Sequence, residues 1–267
     1  MVMAIALEGY PSFTVACART TLGAAGLLAL MKALGRKWPS WNRELLIYLI
    51  PAGLLSTAIP FSLLAWGLNH VPSAFAGLSM AALPLFVLPL AHFFSDERLQ
   101  LRQVLGVSIG FLGAFVLIGP GVLRLGSGIE PLAQLACLGA AFCYAISSVL
   151  TRSCPPIDPI ALATSGLLIG AVFLRPSVLS VDGIPQCNGS RASLAILVLG
   201  FVPTALAAIL RVLIIRSAGS VFMTLVNYMV PIWSMLFGAW VLSEVLPIRF
   251  FVALGLILTG LAISQWP

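Results

Sequence analysis

Residues 53–113 and 200–260 are one unit written twice, 147 positions apart and without a gap. Thr57 falls on Thr204, Ser73 on Ser220, Phe75 on Phe222, Pro84 on Pro231, Glu97 on Glu244, Arg102 on Arg249 and Gly113 on Gly260. Each copy holds three apolar stretches of helical length. An odd number of membrane crossings per copy turns the second copy upside down relative to the first. That restricts the chain to folds built from paired, inverted helical repeats. Many secondary transporters are built this way, with a substrate site at the repeat interface.

Composition supplies the membrane in this argument. The chain is 60% hydrophobic and 8% charged, where a soluble domain carries ~25% charged residues. Its mean hydropathy is +1.10. The formal net charge of +6 would suggest nucleic acid in a soluble protein. Here the basic residues punctuate apolar runs, which is a topology signal and not a nucleic-acid surface. The five cysteines are odd in number and lack ligand spacing, so they imply neither a disulfide framework nor a metal site. Residues 1–7 are apolar but too short for a signal peptide.

A membrane helix needs ~20 mostly apolar residues. Spans are predicted at about 11–31, 45–68, 73–94, 101–121, 131–151, 159–179, 194–215, 220–242 and 249–266. The connections are short and marked by Pro, Gly or charge. The expected fold is therefore an all-α polytopic membrane protein of one domain, 1–267, with pseudo-repeats 1–121 and 131–267. A helix at 131–151 precedes Pro159, whereas only ten residues precede its counterpart Pro11. The inferred design is five plus five helices, with the first largely missing here. Lys and Arg counts orient the chain. With the Lys32–Arg43 connection inside, eight basic residues lie on the cytoplasmic side and four on the other, which places the C-terminus in the cytoplasm.

Two further features carry a family resemblance. One is the helix start "PSFTVACART" at Pro11–Thr20. The other is a doubled unit with a small or polar opening, a mid-helix proline and a terminal glutamate: "SAFAGLSMAALPLFVLPLAHFFSDE" and "SVFMTLVNYMVPIWSMLFGAWVLSE". With these the chain resembles the EamA-type family of the drug/metabolite transporter superfamily. The resemblance implies ten helices in two inverted repeats, a central cavity, and export or exchange of small metabolites such as amino acids. It also suggests a helix-packing role for Arg19.

Polar side chains inside a membrane usually face a bundle interior or cavity. On 220–242, Thr224, Asn227, Pro231 and Ser234 share a face, with Tyr228 beside it. On 131–151, Tyr144, Ser147, Ser148 and Thr151 recur at helical spacing. On 194–215, Thr204, Ala207, Ala208 and Arg211 align. Thr57, Pro60, Phe61 and Leu64 form the repeat-equivalent face of 45–68, with Trp66 near its end. The substrate-binding candidates are Trp66, Tyr144, Ser147, Arg211, Thr224, Asn227 and Tyr228. The bland alternative is interhelical hydrogen bonding, worth ~0.6 kcal/mol on average. Arg211 either snorkels to the nearby helix end or meets a substrate carboxylate. Pro84 and Pro231 interrupt their helices and are candidate hinges. Glu97 and Glu244, at helix ends, are expected to be interfacial anchors.

No nucleophile–base pair, metal cluster or phosphate-binding loop is apparent in the sequence, so neither catalysis nor a cofactor is expected. The expected function is secondary transport of small polar metabolites by alternating access, in a bacterial inner membrane. The partners are a small-molecule substrate and the lipid bilayer, and the sequence leaves the oligomeric state open. The competing reading is a non-transporting membrane scaffold or regulator that has lost helix one.

Overall fold

The structure, a computed structural model, describes residues 2–94, 101–118, 128–183, 190–223 and 229–265. It opens with a short helix α1, Val2–Leu7, and a long one, α2, Ser12–Ala33. Helix α3 (Arg43–Gly53) runs through a π-turn at Leu54–Ala58 into α4, Ile59–Gly67. Helix α5 (Ser73–Ser79) tightens into a 3-10 turn at Met80–Ala82 before α6, Leu83–Phe94. Helices α7 (Leu101–Ile118) and α8 (Glu130–Ser153) follow. Helix α9 (Pro159–Ser177) extends through a π-turn at Val178–Asp182. Helix α10 (Ser190–Gly200) passes through a π-turn at Phe201–Leu206 into α11, Ala207–Ala218. Helices α12 (Ser220–Met223), α13 (Met229–Val241) and α14 (Ile248–Gln265) complete the described chain.

Six of the described helices are long and apolar enough to cross a membrane, and three more apolar ones run 101–117, 230–241 and 248–264. All described regular structure is helical, as the doubled pattern predicts. The repeat extends to the backbone. A shift of 147 carries α3 onto α10 and α7 onto α14, bound for bound. It also carries the first π-turn onto Phe201–Leu206.

Local chemistry explains these breaks. Pro60 and Pro203 lack the amide hydrogens that would reach the carbonyls of Ser56 and Leu199. Thr204 donates its hydroxyl to the Leu199 carbonyl at 2.7 Å, and Thr57 donates to the Gly53 carbonyl at 2.7 Å. Single π-turns in otherwise α-helical segments often mark functional positions. Pro84 likewise cannot bond Met80, where the 3-10 turn begins.

Contacts at both ends of paired helices demonstrate the inversion. Asp182, at the end of the α9 extension, accepts from Thr14 N at 2.6 Å and Thr14 Oγ1 at 2.8 Å. It thus satisfies the start of α2, where Pro11 offers no cap. At the other end Asp158 caps α9 through Ile160 N and Ala161 N, and pairs with Arg36 just beyond α2 at 3.3 Å. Start meets end twice, so α2 and α9 are antiparallel. Helices α7 and α14 do the same: Gly106 faces Gly260 and Ser264, while Gly113 faces Ile257. A methyl group on Gly106 or Gly260 would strike the facing backbone, so glycine sets the close approach.

Glu244 is more than an anchor at a helix end. Its two carboxylate oxygens accept from Ser73 N at 2.7 Å and Ala74 N at 3.0 Å, which ties the end of the second repeat to the start of α5. Glu97, its sequence counterpart, lies outside the described residues.

Candidate functional site

A cavity of about 440 Å³ lies between the repeats, within the ~300–1,000 Å³ typical of small-ligand sites. Its walls are repeat-equivalent. Ser56 and Pro203, Thr57 and Thr204, Phe61 and Ala208, Leu64 and Arg211, and Gly166 and Arg19 all line it. Each pair is 147 residues apart. The cavity therefore straddles the pseudo-twofold relation between the repeats. On α8 and α9 the lining residues, among them Tyr144, Thr151, Leu162 and Gly166, come from the halves that meet at the 154–158 turn. The cavity is thus displaced toward the face that carries the 34–42 connection.

Two guanidinium groups define its polarity. Arg211 does not snorkel to the helix end. It reaches sideways to α8, where NH2 donates to the Tyr144 carbonyl at 3.2 Å and to Ser148 Oγ at 2.9 Å. Its Cζ lies 5.7 Å from the centre of the Tyr144 ring, within cation–π range. Arg19 is 6% exposed. Its Nε donates to Thr204 Oγ1 at 3.0 Å and its NH1 to Met3 Sδ at 3.6 Å. Its Cζ stacks 3.7 Å over Phe61. Tyr144 packs against the cluster that contains Phe61. No carboxylate lines the cavity among the described residues, and neither arginine forms an ion pair there.

Some of the sequence candidates converge here and others do not. Tyr144 and Arg211 line the cavity. Ser147 faces away and donates to the Ala52 carbonyl at 3.0 Å, a helix-to-helix bond. Its neighbour Ser148 is the residue that meets Arg211. Trp66 packs edge-on to His70 with centroids 5.3 Å apart and joins the core around Phe75. Thr224, Asn227 and Tyr228 lie outside the described residues; Met223 and Val230, which flank them, line the cavity. Pro231 is buried in α13, and its carbonyl accepts from Ser234 Oγ at 2.9 Å.

Sequence reasoning missed the cavity position of Arg19. It also missed the pairing of Phe61 beneath it. The signal was available: Gly166 stands at the repeat-equivalent position, so the cation marks a departure from symmetry.

The comparisons with known proteins agree with this architecture. The EamA-like transporter family matches at residues 1–119 and 131–265. The chain belongs to the EamA-like transporter family. It is therefore an integral membrane protein of a transporter family. It is 27% identical to an uncharacterized inner membrane transporter, YedA, of Escherichia coli K12, over 96% of this chain and 82% of that one. It is 21% identical to an uncharacterized transporter, YoaV, of Bacillus subtilis, over 99% of this chain and 90% of that one. A probable terminal-alkyne amino-acid exporter of Streptantibioticus cattleyicolor is 25% identical over 82% of this chain and 74% of its own length. A solved crystal structure superposes with a TM-score of 0.72 at 20% identity, covering 97% of this chain and 90% of that one. That likeness is one of fold.

Proposed function

We propose that this EamA-family protein is a secondary exporter or exchanger of small polar metabolites, amino acids among them, that works by alternating access between its inverted repeats. The observation that carries the proposal is Arg211 in the wall of the repeat-interface cavity, held by Tyr144 and Ser148 with no acidic partner among the described residues. An arginine at the centre of a membrane helix costs ~2.5–3.5 kcal/mol on insertion scales, and Arg211, about two turns inside the end of α11, bears part of that cost. A substrate carboxylate supplies the missing counter-charge through charge-assisted, bidentate hydrogen bonds. The amino-acid exporter among the relatives supports this substrate class.

In this reading the π-turns at Leu54–Ala58 and Phe201–Leu206 and the prolines Pro84 and Pro231 let the helices around the cavity rock. The protein resides in a bacterial inner membrane in this reading, and the positive-inside rule puts the 34–42 connection and the C-terminus on its cytoplasmic side. The cavity, displaced toward that face, then opens to the cytoplasm. The relevant partners are the solute and the bilayer.

Purified protein in proteoliposomes, assayed by counterflow of radiolabelled amino and carboxylic acids, tests the proposal. Saturable exchange whose apparent affinity Arg211→Gln lowers at least tenfold is the expected result. Exchange of no solute, or exchange unaffected by Arg211→Gln, contradicts it.

A further inference from the structure

The cavity holds a second cation that the proposed substrate contact does not use. We infer that Arg19 and Arg211 together form a two-point anion site, and that the preferred solute is a small organic dianion bearing two carboxylates. The inference rests on the transport reading of this same cavity.

Charge balance comes first. Both guanidiniums line the cavity, and none of Glu8, Glu44, Glu130, Asp158, Asp182 and Glu244 does. Asp158 and Asp182 are engaged at the ends of α9 and α2, and Glu244 at the start of α5. A site with two cations and no carboxylate among its described residues repels amines. It offers a zwitterion nothing charged for its ammonium group.

The donor inventory comes second. A guanidinium carries five N–H donors. Arg19 spends Nε on Thr204 and NH1 on a sulfur, which is a weak acceptor. Its NH2 has no partner among the described residues. Arg211 uses only NH2. Each cation thus keeps donors free, and each is fixed by contacts that leave an edge for a ligand. Phe61 backs Arg19 at 3.7 Å and Tyr144 backs Arg211 at 5.7 Å.

Spacing comes third. Arg19 reaches Thr204, and Arg211 stands about two turns further along α10–α11, so the two guanidiniums lie along one wall of a single cavity. A cavity of about 440 Å³ has room for a short carbon chain between two carboxylates. Tyr144, whose ring and carbonyl meet Arg211, lines the same cavity.

The test reads binding separately from flux. The purified full-length protein is heated in detergent at fixed ionic strength with succinate, L-glutamate, butyrate, L-leucine, putrescine or inorganic phosphate. Succinate should raise Tm saturably, with an apparent Kd at least tenfold below that of butyrate, the effect of one further charge-assisted contact, and below that of L-glutamate, whose ammonium group the site leaves without a counter-charge. Arg19→Gln should lower the affinity for the dicarboxylate at least tenfold, to the butyrate level, and Arg211→Gln should do the same from the other end. Equal affinity for succinate and butyrate in the unmodified protein overturns the inference without any variant. So does tighter binding of leucine, putrescine or phosphate than of the dicarboxylates, or an Arg19→Gln protein that binds succinate unchanged. Dicarboxylate binding without counterflow would sink the transport reading and leave this site standing. Counterflow of neutral solutes without dicarboxylate binding would do the reverse.

Discussion

The two walls of the cavity share a backbone and differ in charge. Thr57 and Thr204 sit on equivalent π-turns, and Ser56 faces Pro203 across the pseudo-twofold relation. Yet Leu64 stands where the second repeat has Arg211, and Gly166 stands where the first has Arg19. Symmetry and asymmetry serve different ends. Equivalent backbones give two interchangeable conformations, which rocking needs. Unequal side chains give one substrate orientation, which recognition needs. Duplication supplied the first property, and substitution at two positions supplied the second.

The largest expected effect breaks the symmetric part. Gly106→Val or Gly260→Val would force side-chain atoms into backbone where α7 crosses α14. No rotamer relieves such a contact, so the loss should be about 3 kcal/mol or more. Thermal unfolding in detergent should show little or no folded protein. Next comes the asymmetric part. Arg211→Gln should leave Tm within a few degrees but weaken solute binding by about tenfold to a hundredfold, as expected for a lost hydrogen bond to a charged group. The exchange Arg211→Leu with Leu64→Arg moves the cation to the equivalent wall. Partial recovery of binding would show that the walls are interchangeable, and no recovery would show that Tyr144 and Ser148 fix the site on one side.

The ends of the α2/α9 pair offer a smaller comparison. Asp182→Ala and Asp158→Ala should each cost about 1 kcal/mol, the usual value of a helix cap. The Arg36 ion pair should add little to Asp158, because Arg36 is 53% exposed. A Tm drop much larger for one end than for the other would show that the two repeats are not equally clamped. The smallest effect is expected from Tyr144→Phe. It keeps the ring beneath Arg211 and the carbonyl that accepts from it, so affinity should change by less than about fivefold.

Much of this was legible in the sequence, for identifiable reasons. Apolar length located the helices, and the ungapped offset of 147 pointed to equivalent helices in the two halves. The side-chain positions were less legible. Ser147 and Ser148 are adjacent on one stripe, and helical spacing alone could not say which faces α11 and which faces α3; a turn of ~100° per residue separates them. Trp66 was placed by its position near the end of 45–68, but its ring packs on His70 and against the core that contains Phe75. The family resemblance suggested a packing role for Arg19, and its place in the cavity wall was hidden because its partner Thr204 belongs to the other repeat. Glu244 looked like a surface anchor because a carboxylate that caps a helix from another repeat leaves no local pattern.

The central claim is that one cavity at the repeat interface opens in turn to both sides. In a background without Cys17, Cys137, Cys143, Cys154 and Cys187, the substitution Ala208→Cys places a thiol in the cavity wall. A membrane-impermeant maleimide is then added to one side or the other of oriented vesicles. The account predicts labelling from both sides, fast from the face of the 34–42 connection and slower from the opposite face. Labelling from one face alone, whatever the time or temperature, would contradict it.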